Sequence, residues 1–288
     1  MWRIGALVGS IIGLAACGRK PETPVAADWA RDVRSTDLTL DLVSGEGFAE
    51  IHVAPVRRSS TASFEIGDLY VQSVEGEGGP LDFVVGSGTL HVRLPPGSER
   101  VAVTYGFFDH SALSDGWMPA QGASMVWPTN CGNLFPCRST PADGLRFALD
   151  VVAPAGDVVV FPKEIPTEAP SYMVGVATGP YEELSLGITG AGTEVSVWWR
   201  TDVDTLAEAT QGTAHLLAVF DFLERTYGPY AYGDKVGSVS VDWSESSFGG
   251  MEHHPTWHVA QRHLGEEEVF PAGDADPVAE PAVGRLVG

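Results

Sequence analysis

The chain is poor in cations, poor in cysteine, and has no apolar run long enough to span a bilayer as a mature helix. Only 17 Lys and Arg stand against 38 Asp and Glu, a formal charge of −21. An anionic surface repels phosphate backbones. No basic stripe with interleaved aromatics is present, so composition argues against a nucleic-acid partner. Acidity of this degree favours solubility and a weak attraction for cationic peptides. With three cysteines, no second Cys/His pair stands at a spacing suited to zinc. No Gly-x-Ser-x-Gly elbow, P-loop or internal repeat is found. None of the eight histidines is followed by Glu and by a second His at i+4. What is abundant is 34 Gly and 20 Pro, which call for many turns and a β-rich body. Hydrophobic content of 44% and charged content of 19% fit a folded chain. A length of 288 residues allows one or two domains.

Residues 1–16 read as a targeting segment rather than fold. Arg3 supplies a positive start, and Ile4 to Ala16 is apolar but too short to cross a membrane as a mature helix. The segment ends Leu14-Ala15-Ala16-Cys17 before Gly18, which resembles the lipobox of bacterial lipoproteins. That resemblance implies lipidation of Cys17, a lipid anchor in a membrane and a bacterial cell-envelope location facing outside the cytoplasm. An ordinary secretory signal cleaved nearby is the alternative. Residues 17–36 then form the lipidated Cys and its tether, with Pro21 and Pro24. Export leaves Cys131 and Cys137 able to form a disulfide across a five-residue interval, with a zinc pair or two free thiols as rivals.

Apolar alternation starts at residue 37. Leu38, Leu40 and Leu42 share a face, Ser44-Gly45-Glu46-Gly47 breaks the run, and Ala49 to Val53 resumes it, a hairpin signature. Further strands are expected over Phe64 to Val74, Leu81 to Val85, Leu90 to Leu94, Val101 to Tyr105, Leu145 to Val152, Val158 to Phe161, Tyr172 to Thr178 and Val195 to Trp199. Together they suggest a mostly antiparallel β domain over 37–200. The period then changes. Leu216, Val219, Phe220, Leu223 and Tyr227 mark one face of an amphipathic helix, capped by Asp202 or Asp204 and stopped by Gly228-Pro229. Val236 to Val241 reads as a strand leading to Gly249-Gly250. A second domain is therefore expected over 201–268. Residues 269–288 are nearly all Pro, Ala, Gly, Val and Asp, and read as a disordered acidic tail or an out-of-frame segment.

Several segments in order carry a resemblance. Leu134-Phe135-Pro136-Cys137-Arg138-Ser139-Thr140-Pro141 is similar to a Phe-Pro-Cys-x-Asp-x-Pro landmark, and Pro170-Ser171-Tyr172-Met173, followed by Gly179, to a Pro-Ser-Tyr-Leu strand. Tyr227-Gly228-Pro229-Tyr230 is similar to a Phe-Gly-x-Tyr-Pro turn, and Phe248-Gly249-Gly250-Met251-Glu252-His253 to a Gly-x-Met-Glu-Asn anchor. From residue 37 to about residue 260 the chain thus resembles the aminopeptidase N family of gluzincin zinc aminopeptidases. The resemblance implies a mostly β chain, with an N-terminal antiparallel β-sandwich or saddle domain followed by the start of an α+β thermolysin-like catalytic domain. It also implies peptides with a free N-terminus as partners, and zinc as the cofactor of the full-length family.

Physical chemistry gives the anchor a reading of its own. Gly249 and Gly250 allow close backbone approach, and a strand edge there can pair with an extended peptide. With Met251 and Glu252 they form the expected substrate-binding set. Glu252 can hold an α-ammonium, a charge-assisted bond of about 1.5–3 kcal/mol. Three departures stand out. His253 takes the family's Asn position and Ser139 its Asp. Ser124-Met125-Val126 stands where the family places a polar residue gripping the amine, and Met125 is no useful acceptor for an ammonium. His254 and His258 are four apart, but Pro255 lies between them, so a helical zinc pair is not expected. Glu266-Glu267-Glu268 reads as a solvated run. The family's chemistry needs His-Glu-x-x-His, a distant Glu ligand and a later Tyr. The expectation is a chain truncated before the zinc site, with no complete catalytic set, no bound metal and little or no hydrolysis alone. The alternative is a non-catalytic envelope peptide- or protein-binding β module.

Overall fold

The computed structural model describes residues 25–111, 115–243 and 249–260. The expected signal segment, Cys17, Glu266 to Glu268 and the 269–288 tail lie outside them, as does Ser244 to Phe248. The fold is mostly β, built from four sheets and two helices among the described residues. No described helix is long and apolar enough to cross a membrane.

The alternation of Leu38, Leu40 and Leu42 places them in the core, and Val33–Asp41 pairs antiparallel with Glu46–Val53. Gly45 turns the hairpin at φ 70°, a left-handed conformation that suits glycine. Two positions on, Gly47 is required by packing, because a Cβ there would lie 2.3 Å from the buried Tyr105 ring. Val33–Asp41 also pairs in parallel with Leu145–Val152. This pairing joins two hairpin-like halves into a seven-stranded sheet of otherwise antiparallel pairs. A three-stranded sheet, Ala62–Glu65, Thr89–Val92 and Phe83–Gly86, closes over it. Leu40, Ile51, Tyr105, Phe64, Leu90 and Phe147 meet in the shared core, which gives a β-sandwich.

The Leu134–Pro141 landmark belongs to this core. Leu134 and Phe135 are fully buried, and Cys131 and Cys137 are joined as a disulfide with Cα atoms 6.1 Å apart. Cys137 exchanges backbone hydrogen bonds with Glu65 at 2.9 and 3.0 Å. Ser139, in the family's Asp position, donates its hydroxyl to Glu65 at 2.8 Å. Arg138 donates to the carbonyls of Trp29 at 2.6 Å and Arg31 at 3.0 Å, and lies 5.0 Å over the Trp29 ring. Arg31 in turn donates to the carbonyls of Thr61, Ser98 and Ser59. These bonds correct the expected tether: from Val25 onward the described part of 17–36 is docked, because two guanidiniums donate to backbone carbonyls of this segment and its neighbours.

Two expected strands differ. The run over Phe64 to Val74 divides into Ala62–Glu65 and Tyr70–Gly76, which lie in different sheets. Gly67, at φ 46°, turns the chain there against Asn133, whose Oδ1 occupies the space of a Cβ. Tyr172 to Thr178 is a 3-10 turn, Ser171–Met173, followed by a short strand, Ala177–Gly179.

A mixed five-stranded sheet runs Tyr181–Ile188, Glu194–Arg200, Lys235–Val241, Thr256–Ala260, Gly250–Met251. Its first two strands precede the expected boundary at 200/201, so the sheet crosses that boundary. A four-stranded sheet containing Ala123–Met125 packs on it through Met118, Met125, Tyr181, Val239, Val241 and Met251. The single expected helix is two: α1, Leu206–Gly212, and α2, Leu216–Tyr227. Thr205 caps α1 in a reciprocal capping box with Glu208. Neither expected Asp caps it: Asp202 is held by Arg200 at 2.8 Å, and Asp204 lies 3.4 Å from the Ser240 hydroxyl.

Gly228 ends α2 at φ 103°. The inward face of α2 is the expected one in part. Leu216 and Phe220 pack inward as expected, joined by the buried Glu224, whereas Val219, Leu223 and Tyr227 are exposed. Glu224 is held inward by its hydrogen bonds. Its carboxylate accepts from Thr189, from Thr193 at 2.5 Å and from the Tyr230 amide at 3.0 Å. Desolvation alone would raise its pKa, but these hydrogen bonds outweigh it and hold the carboxyl below its usual range.

Candidate functional site

Among the described residues Gly250–Met251 is the last strand of the five-stranded sheet and pairs with Thr256–Ala260 on one side only. The register sets Gly250 opposite Val259 and Met251 opposite His258. Gly249 is tied in as well, its carbonyl accepting from the Ala260 amide at 2.9 Å. The missing side chain at Gly250 serves the sheet, since a Cβ would stand 3.1 Å from the His258 carbonyl. Strand alternation then decides which residues meet solvent. Met251 turns inward and is 4% exposed, beside the buried Met125. That corrects the expected substrate-binding role of the Met251 side chain: apolar burial places it in the core, and only its backbone lies at the rim. Gly249, Gly250 and Glu252 are exposed.

Glu252 thus stands exposed at the end of a sheet edge that has no second partner among the described residues. Tyr172, in the 3-10 turn Ser171–Met173, donates its phenol hydrogen to Glu252 Oε1 at 3.3 Å. The contact spans 80 residues of sequence. Burial, followed by the negative charge of Glu252 and its hydrogen bond, raises the Tyr172 pKa. The His254 amide donates to the Met173 carbonyl at 2.9 Å and fixes the same turn against the anchor. The Tyr230 hydroxyl lies 2.8 Å from His254 Nδ1, and the Tyr232 ring centre is 4.7 Å from that of His254.

The other two histidines face the interior. His253 and His258 are 0% and 1% exposed and meet edge to face with ring centres 4.4 Å apart. Gly175 makes room for His253, because a Cβ there would fall 2.5 Å from Nδ1. Val126 lies near enough for its backbone to favour a protonated His253, yet neither ring nitrogen has a partner at hydrogen-bond geometry. Burial holds both rings neutral, pushing His253 well below its ordinary value and His258 down to about 3. His254 and His258 occupy a loop and a strand, so they do not form a helical metal pair.

These residues do not fit a catalytic zinc. The one cluster of three potential ligands among the described residues is Glu65, Cys131 and Cys137. Both of its sulfurs are consumed by the disulfide. Glu252 points to solvent while His253 and His258 point into the core. Met125, at the position where the resemblance implies an amine-gripping polar residue, is fully buried.

In the sequence, Gly249 to Glu252 stand out through their local pattern. Tyr172 and Tyr230 stand only within landmark segments, and Tyr232 carries no local signal. His253 stands out only as a departure from the family pattern. No local signal links Tyr172 to Glu252, because sheet topology alone brings them together.

No protein-family model matches the sequence, and no curated protein matches it significantly. Solved structures do match the fold. A point mutant of the M1 zinc metallopeptidase from Deinococcus radiodurans, bound to a Tyr-Ser-Ala substrate, has a TM-score of 0.68 at 17% identity, covering 81% of this chain and 61% of its own. The M1 zinc metallopeptidase from the same organism matches with TM-score 0.67, 17% identity, and 80% and 60% coverage. A two-domain M1 zinc metallopeptidase mutant bound to L-arginine gives 0.68, 17%, and 81% and 61%. The chain therefore spans about three fifths of the length of these structures and shares the fold of that part of an M1 zinc metallopeptidase.

Proposed function

We propose that these 288 residues form an envelope lipoprotein that grips the free amino terminus of a peptide and, as they stand, do not cut it. The observation that carries the reading is Glu252, exposed immediately after the one-sided edge strand Gly250–Met251. An extended peptide adds to that edge through backbone hydrogen bonds, and Glu252 takes its α-ammonium. Support also comes from the fold neighbours, one of which holds a Tyr-Ser-Ala peptide. Cys17 carries the lipid, which puts the protein on a membrane facing outside the cytoplasm. Zinc is the cofactor of the neighbours. By the family resemblance it would activate water, but the described residues supply no ligand set for it. The chain's own groups bind and orient, and among the described residues none is placed to remove a proton from water beside the peptide bond.

The test is a peptidase assay on the purified chain with aminoacyl-nitroanilides, with and without added zinc. The expected result is no turnover above background. Chelator-sensitive turnover would contradict the reading. A binding module without catalysis in any context is the second reading, favoured by the unpaired sheet edge, which suffices for β-addition.

A further inference from the structure

Glu252 is exposed, and an exposed glutamate samples several rotamers, each of which aims its charge differently. Here one carboxylate oxygen is tied. The Tyr172 hydroxyl donates to Oε1 at 3.3 Å, while Oε2 has no protein partner named in that contact. Tyr172 is itself held. Its turn is closed by the Met173 amide donating to the Pro170 carbonyl at 3.0 Å, and the Met173 carbonyl accepts from the His254 amide at 2.9 Å. Tyr172 also packs against the sandwich core beside Tyr232. The donor is therefore the better anchored of the two groups, which is the arrangement in which the phenol selects the carboxylate rotamer.

We propose that Tyr172 is a positioning residue, holding Glu252 with one oxygen engaged and the other presented at the sheet edge to the α-ammonium of a bound peptide. This rests on the reading of Glu252 as the amine anchor. Met125 and Met251 are buried in the neighbouring core. Neither methionine can usefully accept from an ammonium, so the orientation of the Glu252 carboxylate carries more of the discrimination between free and blocked amino termini.

The test uses the full chain, with Tyr-Ser-Ala and its N-acetyl analogue as probes in titration calorimetry. Tyr172→Phe is expected to weaken Tyr-Ser-Ala by about 5-fold, the loss of one positioning hydrogen bond, and to leave the acetylated peptide unchanged. In a Glu252→Gln background the same substitution is expected to have no further effect. A second measurement does not depend on peptide binding. Followed by tyrosinate absorbance, one tyrosine should ionise at lower pH in Glu252→Gln than in wild type, and that difference should vanish in Tyr172→Phe.

If Glu252→Gln weakens binding and Tyr172→Phe does not, the positioning role is overturned and the anchor stands. If Glu252→Gln binds like wild type, or wild type shows no preference for the free amine, the anchor reading falls and the positioning role with it. An unchanged tyrosine titration in Glu252→Gln would overturn the contact itself.

Discussion

Acid should loosen this protein before its carboxylates begin to protonate, and the cause is the buried pair His253 and His258. Their rings face each other at 4.4 Å, with Gly175 against His253 and the Trp243 ring 6.0 Å from His258. His254 is the nearby titratable neighbour that also works against a charge on His253. In the unfolded chain each ring takes a proton near its ordinary value of 6.5, whereas folded His258 stays neutral down to about 3. Between those values the unfolded state binds a proton that the native state does not, so stability rises with pH and is lost as pH falls. Each pH unit is worth about 1.4 kcal/mol per ring. From pH 6.5 to about pH 5, His258 alone therefore loses about 2 kcal/mol. His253, depressed in the same direction, adds to that loss. The His258 contribution alone is a substantial share of the ~5–15 kcal/mol that stabilises a typical domain. Urea unfolding at a series of pH values reads this directly. His253→Leu should fold, since neither ring nitrogen makes a protein hydrogen bond, and its stability should fall less steeply than wild type over that window. A slope equal to wild type in both His253→Leu and His258→Leu would refute the argument.

Other outcomes follow from single contacts. Replacing Cys131 and Cys137 by Ser reopens a loop with sequence separation 6 and should cost about 2 kcal/mol in denaturant unfolding. Thr205→Ala removes the α1 capping box and should lower stability by about 1 kcal/mol, with Thr205→Ser close to neutral. Gly47→Ala sets a Cβ 2.3 Å from the Tyr105 ring in a close-packed core, so a loss of about 1–3 kcal/mol is expected by thermal melt.

Periodicity made the β body legible where one face is buried and the other wet. Leu38, Leu40 and Leu42 alternate cleanly because their strand covers the core on one side, and Leu145–Val152 follows the same rule. It failed where tertiary contact overrides pattern. Phe64 to Val74 alternates through Gly67, yet the chain turns there against Asn133. On α2 the apolar pattern named Leu216, Val219, Phe220, Leu223 and Tyr227; Leu216 and Phe220 do face inward, but Glu224, with partners in Thr189, Thr193 and the Tyr230 amide, is buried beside them while Val219, Leu223 and Tyr227 stay exposed. A buried carboxylate with three donors is invisible to a hydrophobicity count. At the site, Gly249 to Glu252 were legible because glycines and a carboxylate at a strand end have local meaning. Their surroundings were not. Tyr172 reaches Glu252 only after two sheets have docked, and nothing in the sequence of His253 and His258 distinguishes a buried neutral pair from exposed loop histidines.

The central claim is that Glu252 recognises a free amino terminus, and equilibrium binding of Tyr-Ser-Ala against its N-acetyl analogue tests it most directly. Wild type should prefer the free amine by roughly 10- to 100-fold, the equivalent of a charge-assisted hydrogen bond of about 1.5–3 kcal/mol. Glu252→Gln should erase that preference while leaving the melting temperature unchanged, since the side chain is exposed. Equal affinity of wild type for the two peptides would contradict the account.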